Sequence, residues 1–246
     1  MWKTKKSRDK YMNKAEFKML IEKKGLLLSD EQMSQYDKYL HLLQEWNEKM
    51  NLTSIIEEEA VHEKHFYDCL LSIDEIDFNN KSLLDIGAGA GFPSIPLKIA
   101  YPSLKLTVLD SLQKRMIFIE EVVKQLDLKD VNIIVSRAED YALNHRNSFD
   151  IVTSRAVARL NILSELSLPL VKIGGTFLAY KGQSGLEEYE ECKNGIKLLG
   201  GKLEKYQEEH LPSDDAYRYN LFIKKEKDTP TKYPRAYSKI KKNPIK

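Results

Sequence analysis

The sequence predicts an α/β fold: a doubly wound, mostly parallel sheet that ends in an antiparallel hairpin and is preceded by a helical cap. Three observations carry this expectation. The apolar run Ser82-Leu83-Leu84-Asp85-Ile86 enters a turn with glycines at 87, 89 and 91. From residue 82 onward, strand-like and helix-like segments alternate, which is the pattern of a parallel sheet with crossover helices. Near the end, segments 202–210 and 217–225 leave no room for a helix between them, so they pair as a hairpin on one sheet edge.

Residues 12–24 and 30–50 are expected to form helices. Ser29 caps the second with Gln32 three residues on, and Tyr36, Tyr39, Leu40, Leu43, Trp46 and Met50 repeat at the three-and-four spacing of one helix face. Asn51-Leu52-Thr53 ends that helix, and another is expected over 58–72. Strands are expected near 82–86, 105–110, 131–136, 149–154 and 175–180, with helices near 93–100, 112–126, 158–171 and 186–199. Pro93 and Pro96 fall in a first helical turn, where a missing amide hydrogen costs little. Three parts follow from this organisation: a helical cap over 1–75, the sheet domain over 76–228 and a basic tail over 229–246.

With 246 residues, 42% of them hydrophobic and 31% charged, the chain is long enough for one large core. The two cysteines, Cys69 and Cys192, form neither a disulfide framework nor a metal-ligand cluster. No apolar stretch approaches the length of a membrane span, and the basic N-terminus is not followed by an apolar signal core, so a cytoplasmic protein with no membrane partner is expected. His62 and His65 beside Glu63 and Asp68 have no third strong ligand close by in sequence. A polar contact between cap and sheet domain is the expected role there, and no metal is expected.

Net charge is only +2, but it is unevenly placed. Lys3, Lys5, Lys6, Arg8, Lys10 and Lys14 crowd the first fourteen residues, and nine Lys or Arg fall between Lys224 and Lys246. Basic ends of this kind attract polyanions, nucleic acid above all, by releasing condensed counterions. Tyr233 and Tyr237 among those cations offer stacking surfaces for unpaired bases.

The glycine spacing separates two kinds of nucleoside pocket. A dinucleotide fingerprint, G-x-G-x-x-G, needs glycine where Phe92 stands, because pyrophosphate must approach the helix N-terminus there. Asp85 followed by Gly87-x-Gly89-x-Gly91 instead resembles the first motif of the Rossmann-like class I methyltransferases, which use S-adenosyl-L-methionine. Ligands in such sheets bind beyond the carboxyl ends of the strands. That rule selects Gly87, Gly89, Gly91 and Phe92 after the first strand, Asp110 after the second, and Ala138 and Glu139 after the third. Arg155 follows the fourth and Lys181 the fifth. Asp110 is assigned the ribose hydroxyls and Glu139 the adenine amino group. Arg155 is expected to face either the cofactor's carboxylate or RNA.

At greater length, Asp85 to Leu97, Leu109-Asp110-Ser111 with Lys114-Arg115, Ser154-Arg155-Ala156-Val157-Ala158, Tyr180-Lys181-Gly182 and Tyr233-Pro234-Arg235 resemble the bacterial RsmG family, also called glucose-inhibited division protein B. The resemblance covers nearly the whole chain from about residue 12. Gly91-Phe92-Pro93-x-Ile95-Pro96 is its most specific part. It implies S-adenosylmethionine-dependent methylation of N7 of one guanine in small-subunit (16S) ribosomal RNA, with Gly87, Phe92, Ala138, Glu139 and Arg155 at the cofactor. Two departures stand out: Ser94 replaces a usual glycine, and Ala236-Tyr237-Ser238-Lys239-Ile240 replaces the usual glycine- and proline-containing continuation.

N7 carries an in-plane lone pair and no proton, so Arg155 and Lys181 are expected to act by positioning, with no general base. The expected partner is small-subunit rRNA or the small ribosomal subunit itself, met by a monomer. Lys5, Lys6, Lys114, Arg115 and the C-terminal lysines are expected to hold its phosphates, and the target guanine must leave its stack to be reached. A small-molecule methyltransferase and a non-catalytic RNA-binding protein with a vestigial pocket are the two rival readings.

Overall fold

The computed structural model describes residues 11–246, so Lys3, Lys5, Lys6, Arg8 and Lys10 lie outside the described residues. A seven-stranded sheet in the order β3-β2-β1-β4-β5-β7-β6 organises the chain. Its strands are β1 (Ser82–Ile86), β2 (Lys105–Asp110), β3 (Val131–Val135), β4 (Phe149–Arg155), β5 (Val171–Lys181), β6 (Gly201–Leu211) and β7 (Asp214–Lys225). The first five are parallel, and β7 joins β5 antiparallel with Thr176 opposite Lys224 and Lys181 opposite Tyr219. The order reverses between β1 and β4, which opens a crevice at their carboxyl ends.

The helical cap comprises α1 (Lys14–Lys23), α2 (Asp30–Met50), α3 (Glu58–Val61) and α4 (Asp68–Leu70), with a π-helical stretch His62–Tyr67 joining the last two. Both α1 and α2 begin with capping boxes. Asn13 accepts from the Glu16 amide and Ser29 from the Gln32 amide, and each partner side chain reaches back to the cap. The predicted face of α2 is buried through Tyr36, Tyr39, Leu40 and Leu43. Tyr36 and Tyr39 also donate hydrogen bonds to the carbonyls of Pro96 (2.7 Å) and Ala90 (2.5 Å), which tie the cap to the glycine turn and the helix after it.

The remaining helices are α5 (Ser94–Ala100), α6 (Gln113–Gln125), α7 (Ala138–Tyr141), α8 (Leu160–Ser167), α9 (Gly185–Leu198) and α10 (Tyr237–Lys242). One core joins the cap to α5 and α6 through Phe17, Tyr39, Phe66, Ile95 and Met116; the other, on the opposite sheet face, joins α8 and α9 to the tail. Strand β5 starts four residues earlier than the sequence suggests. Gly174 and Gly175 look like a break, yet the strand passes through them at an irregularity, with Phe149 opposite Val171 and Ile151 opposite Thr176.

The tail is not a free basic arm. Arg235 forms a forked pair with Glu165, at 2.8 and 2.6 Å, and Glu165 is fully buried. Arg146 donates to the carbonyls of Thr229 and Tyr233, while Tyr233 and Ile240 enter the core. Lys225 is also buried, donating to the Leu168 carbonyl and the Thr229 hydroxyl, and burial lowers its pKa to about 8. The expectation of a run of phosphate-holding cations from 224 onward is corrected accordingly: Lys225 and Arg235 are structural, and Lys239, Lys241 and Lys242 remain exposed on α10.

Candidate cofactor site

The crevice at the carboxyl ends of β1, β2, β3 and β4 is a groove of about 550 Å³. Its walls include Gly87, Gly89, Phe92, Asp110, Ala138, Glu139 and Arg155, seven of the eight residues selected as cofactor contacts from the strand ends. Gly91 is the exception. Its missing side chain faces inward, where a Cβ would stand 2.6 Å from Ile95, 2.9 Å from Ile119 and 2.9 Å from the Tyr39 hydroxyl. Gly91 lets the cap approach the turn and does not itself line the groove.

The other two glycines shape the floor differently. Both lie in the left-handed region, with φ of 71° at Gly87 and 59° at Gly89. A Cβ on Gly87 would meet Val157 at 2.6 Å, whereas one on Gly89 would meet no atom within 4 Å and would stand in open space. Asp110, only 4% exposed, braces this turn. Its carboxylate accepts from the amides of Gly89 (3.1 Å) and Leu112 (2.9 Å), and Arg115 pairs with it at 3.2 Å. Beneath the turn, Asp85 is fully buried beside Ser94, but neither carboxylate oxygen closes a hydrogen bond. Burial raises its pKa to about 7, against a smaller opposing pull from Ser94.

Arg155 connects the groove to the cap. Its guanidinium donates to Asp68 at 2.6 Å, to His65 Nδ1 at 3.0 Å and to the Lys64 carbonyl at 3.2 Å. Because arginine only donates, His65 must accept at Nδ1 and carry its hydrogen on Nε2, which lies 3.0 Å from the Thr53 hydroxyl. Burial, reinforced by the Arg155 charge, lowers the His65 pKa to about 3, so the ring is neutral. His65 also stacks on Phe92 at 4.3 Å, and Arg155 lies 5.2 Å from the same ring. A polar contact near His65 and Asp68 is expected from the sequence, but its partner, Arg155, is not. Thr53 and His65 do not stand out there as groove residues, because their placement depends on how the cap docks.

Lys181 stands apart from this groove. It pairs with Glu188 at 2.7 Å, each side chain 10% exposed, and donates to the Ala158 carbonyl. It lines a second cavity of about 360 Å³ with Asp68, Tyr180, Arg218 and Asn220, and the two spaces share His65, Arg155 and Ala156. Of the two positioning candidates, Arg155 therefore borders both spaces and Lys181 only the second. Cys69 is fully buried and its thiol is pushed upward by burial. Cys192 donates to the Glu188 carbonyl at 3.0 Å and is pushed up to about 12 by burial.

Residues 32–216 match the family model described as GidB, rRNA small subunit methyltransferase G. Curated relatives named ribosomal RNA small subunit methyltransferase G are 48% identical in Bacillus cytotoxicus and 46% identical in Listeria monocytogenes. Each alignment spans 237 residues and covers 95% of this chain, with 99% and 100% of the respective relatives. Among solved structures, a ribosomal protein L11 methylase from Lactobacillus delbrueckii superposes with a TM-score of 0.50 at 15% identity, covering 67% of this chain and 79% of its own. A transferase from Pyrococcus horikoshii gives 0.51 at 13%, covering 64% and 62%. These likenesses establish the Rossmann-like methyltransferase fold.

Proposed function

Because the chain belongs to the GidB family, described as rRNA small subunit methyltransferase G, we propose that it transfers the methyl group of S-adenosylmethionine to N7 of one guanine in small-subunit ribosomal RNA. The observation that supports the cofactor most strongly is the groove at the switch point, open above Gly89 and walled by Asp110, Glu139 and Arg155. When bound, S-adenosylmethionine supplies a methyl carbon activated by a positively charged sulfur. Asp110 would accept from its ribose hydroxyls, Glu139 from its adenine amino group, and Arg155 would pair with its carboxylate. The ring of Phe92, held between His65 and Tyr39, adds an apolar wall.

The chemistry of the walls favours an acceptor that needs no proton removed. His65 is neutral, but both its nitrogens are engaged, so it is not placed as a general base. Neither cysteine offers a thiolate: Cys69 is sealed in the core and Cys192 points into α9. Guanine N7 meets these conditions, since its lone pair attacks without deprotonation. Catalysis then consists of holding N7, carbon and sulfur in line, and positioning alone supplies up to about 7–11 kcal/mol.

The second cavity, which shares Arg155 and Ala156 with the groove and is also lined by Lys181, would receive the unstacked base next to the bound cofactor. Phosphates would be held by Lys114, Arg115 and the exposed lysines of α10. We infer a monomer acting in the cytoplasm, where small subunits are assembled; no helix among the described residues is long and apolar enough to cross a membrane.

Small-subunit RNA transcribed with 7-deazaguanosine tests the acceptor atom. Transfer to ordinary RNA and none to the deaza RNA is expected. Equal transfer to both would exclude N7, and transfer to a small molecule without RNA would replace the substrate class.

A further inference from the structure

We propose that Tyr237 is the aromatic wall of the groove's nucleoside end and stacks against the purine ring of the cofactor. The proposal rests on the cofactor reading above and assigns a role to a segment outside the residues matched by the family model. Tyr237 was expected among RNA-facing aromatics, yet its side chain lines the cofactor groove with Arg137, Ala138, Glu139 and Leu166. Arg137, Ala138 and Glu139 follow β3, and Glu139 is the residue to which the cofactor reading gives the adenine amino group.

One cation touches the ring, and the segment that carries it is anchored on both sides. Arg137 lies 6.0 Å from its centroid in a cation–π contact. Two residues earlier, Arg235 is clamped on buried Glu165 by both its side chain and its amide, and one turn later Ile240 is fully buried. A half-exposed tyrosine with fixed neighbours offers a flat face at little further entropic cost, and purines stack on such faces regardless of their edge hydrogen bonds.

Calorimetric titration of the full chain with S-adenosylmethionine, adenosine and methionine separates the parts of the ligand. Tyr237→Leu, which keeps apolar bulk without a flat ring, is expected to bind S-adenosylmethionine and adenosine on the order of tenfold more weakly. Tyr237→Phe is expected within about twofold of wild type, methionine binding should not change, and the ligand-free melting temperature should hold in both variants. Wild-type affinity in Tyr237→Leu would overturn this proposal alone. Failure of the wild-type protein to bind either nucleoside ligand would overturn the cofactor reading and this proposal with it.

Discussion

Arg155, at the end of β4, is joined to Asp68 of the helical cap by a hydrogen-bonded ion pair of 2.6 Å, with side chains only 15% and 12% exposed. The same carboxylate receives Arg218 at 3.3 Å, so one acidic residue of the cap gathers two cations from the sheet. Removing one partner of a pair this buried leaves a charge with little solvent. Asp68→Ala is therefore expected to destabilise the fold by about 3 kcal/mol and to weaken S-adenosylmethionine binding through the loosened Arg155. Denaturant melts and calorimetry check the two effects, and a stable variant with full affinity would refute the coupling.

His65 and Asp85 predict opposite pH dependences. The His65 pKa falls from 6.5 to about 3, so between those values the unfolded chain takes up a proton that the folded chain refuses. Stability from this group is complete above about pH 6.5 and declines toward pH 3, at most about 1.4 kcal/mol per pH unit. His65→Gln should flatten that acid limb in urea melts taken across the range.

Asp85 shifts upward, from 3.8 to about 7, so the unfolded chain releases its proton first as pH rises. Its contribution therefore declines from about pH 4 to pH 7 and stays low above. Asp85→Asn should be more stable than wild type at pH 8 and close to it at pH 4. A variant less stable than wild type at pH 8 would show that the buried carboxylate has a partner the fold depends on.

Gly89 and Gly91 give a graded test. Gly89→Ala places a methyl in open groove, with only the strain of a left-handed backbone, about 1–2 kcal/mol. Gly91→Ala adds a clash against Ile95, Ile119 and Tyr39 and should lose the most stability. Cofactor affinity should fall in Gly89→Ala out of proportion to its melting temperature.

Much of this was legible because it is local. The capping boxes at Asn13 and Ser29, the glycine turn and the Asp at the end of β2 are written in neighbouring residues, and seven of the eight residues that the strand ends select line the groove. What was missed is tertiary. Neither the meeting of Arg155 with His65 and Asp68 nor the folding of Tyr237 onto the groove leaves a periodic trace. The charge on Arg235 reads the same in sequence whether it faces RNA or, as here, a buried glutamate.

That difference separates two kinds of tail residue. Arg235→Ala is expected to cost about 3–5 kcal/mol of stability by stranding Glu165, which is fully buried. Lys241→Ala with Lys242→Ala should leave the melting temperature unchanged but lower the salt sensitivity of RNA binding, by about one unit of slope for each phosphate no longer held. Identical effects from both would contradict the division.

The central claim is most directly tested by incubating the protein with methyl-labelled S-adenosylmethionine and small ribosomal subunits that lack their N7 methylation, then mapping the label by nuclease digestion and mass spectrometry. Label on N7 of a single guanine is the predicted result. Label on another atom, or bound cofactor with no labelled RNA, would contradict it.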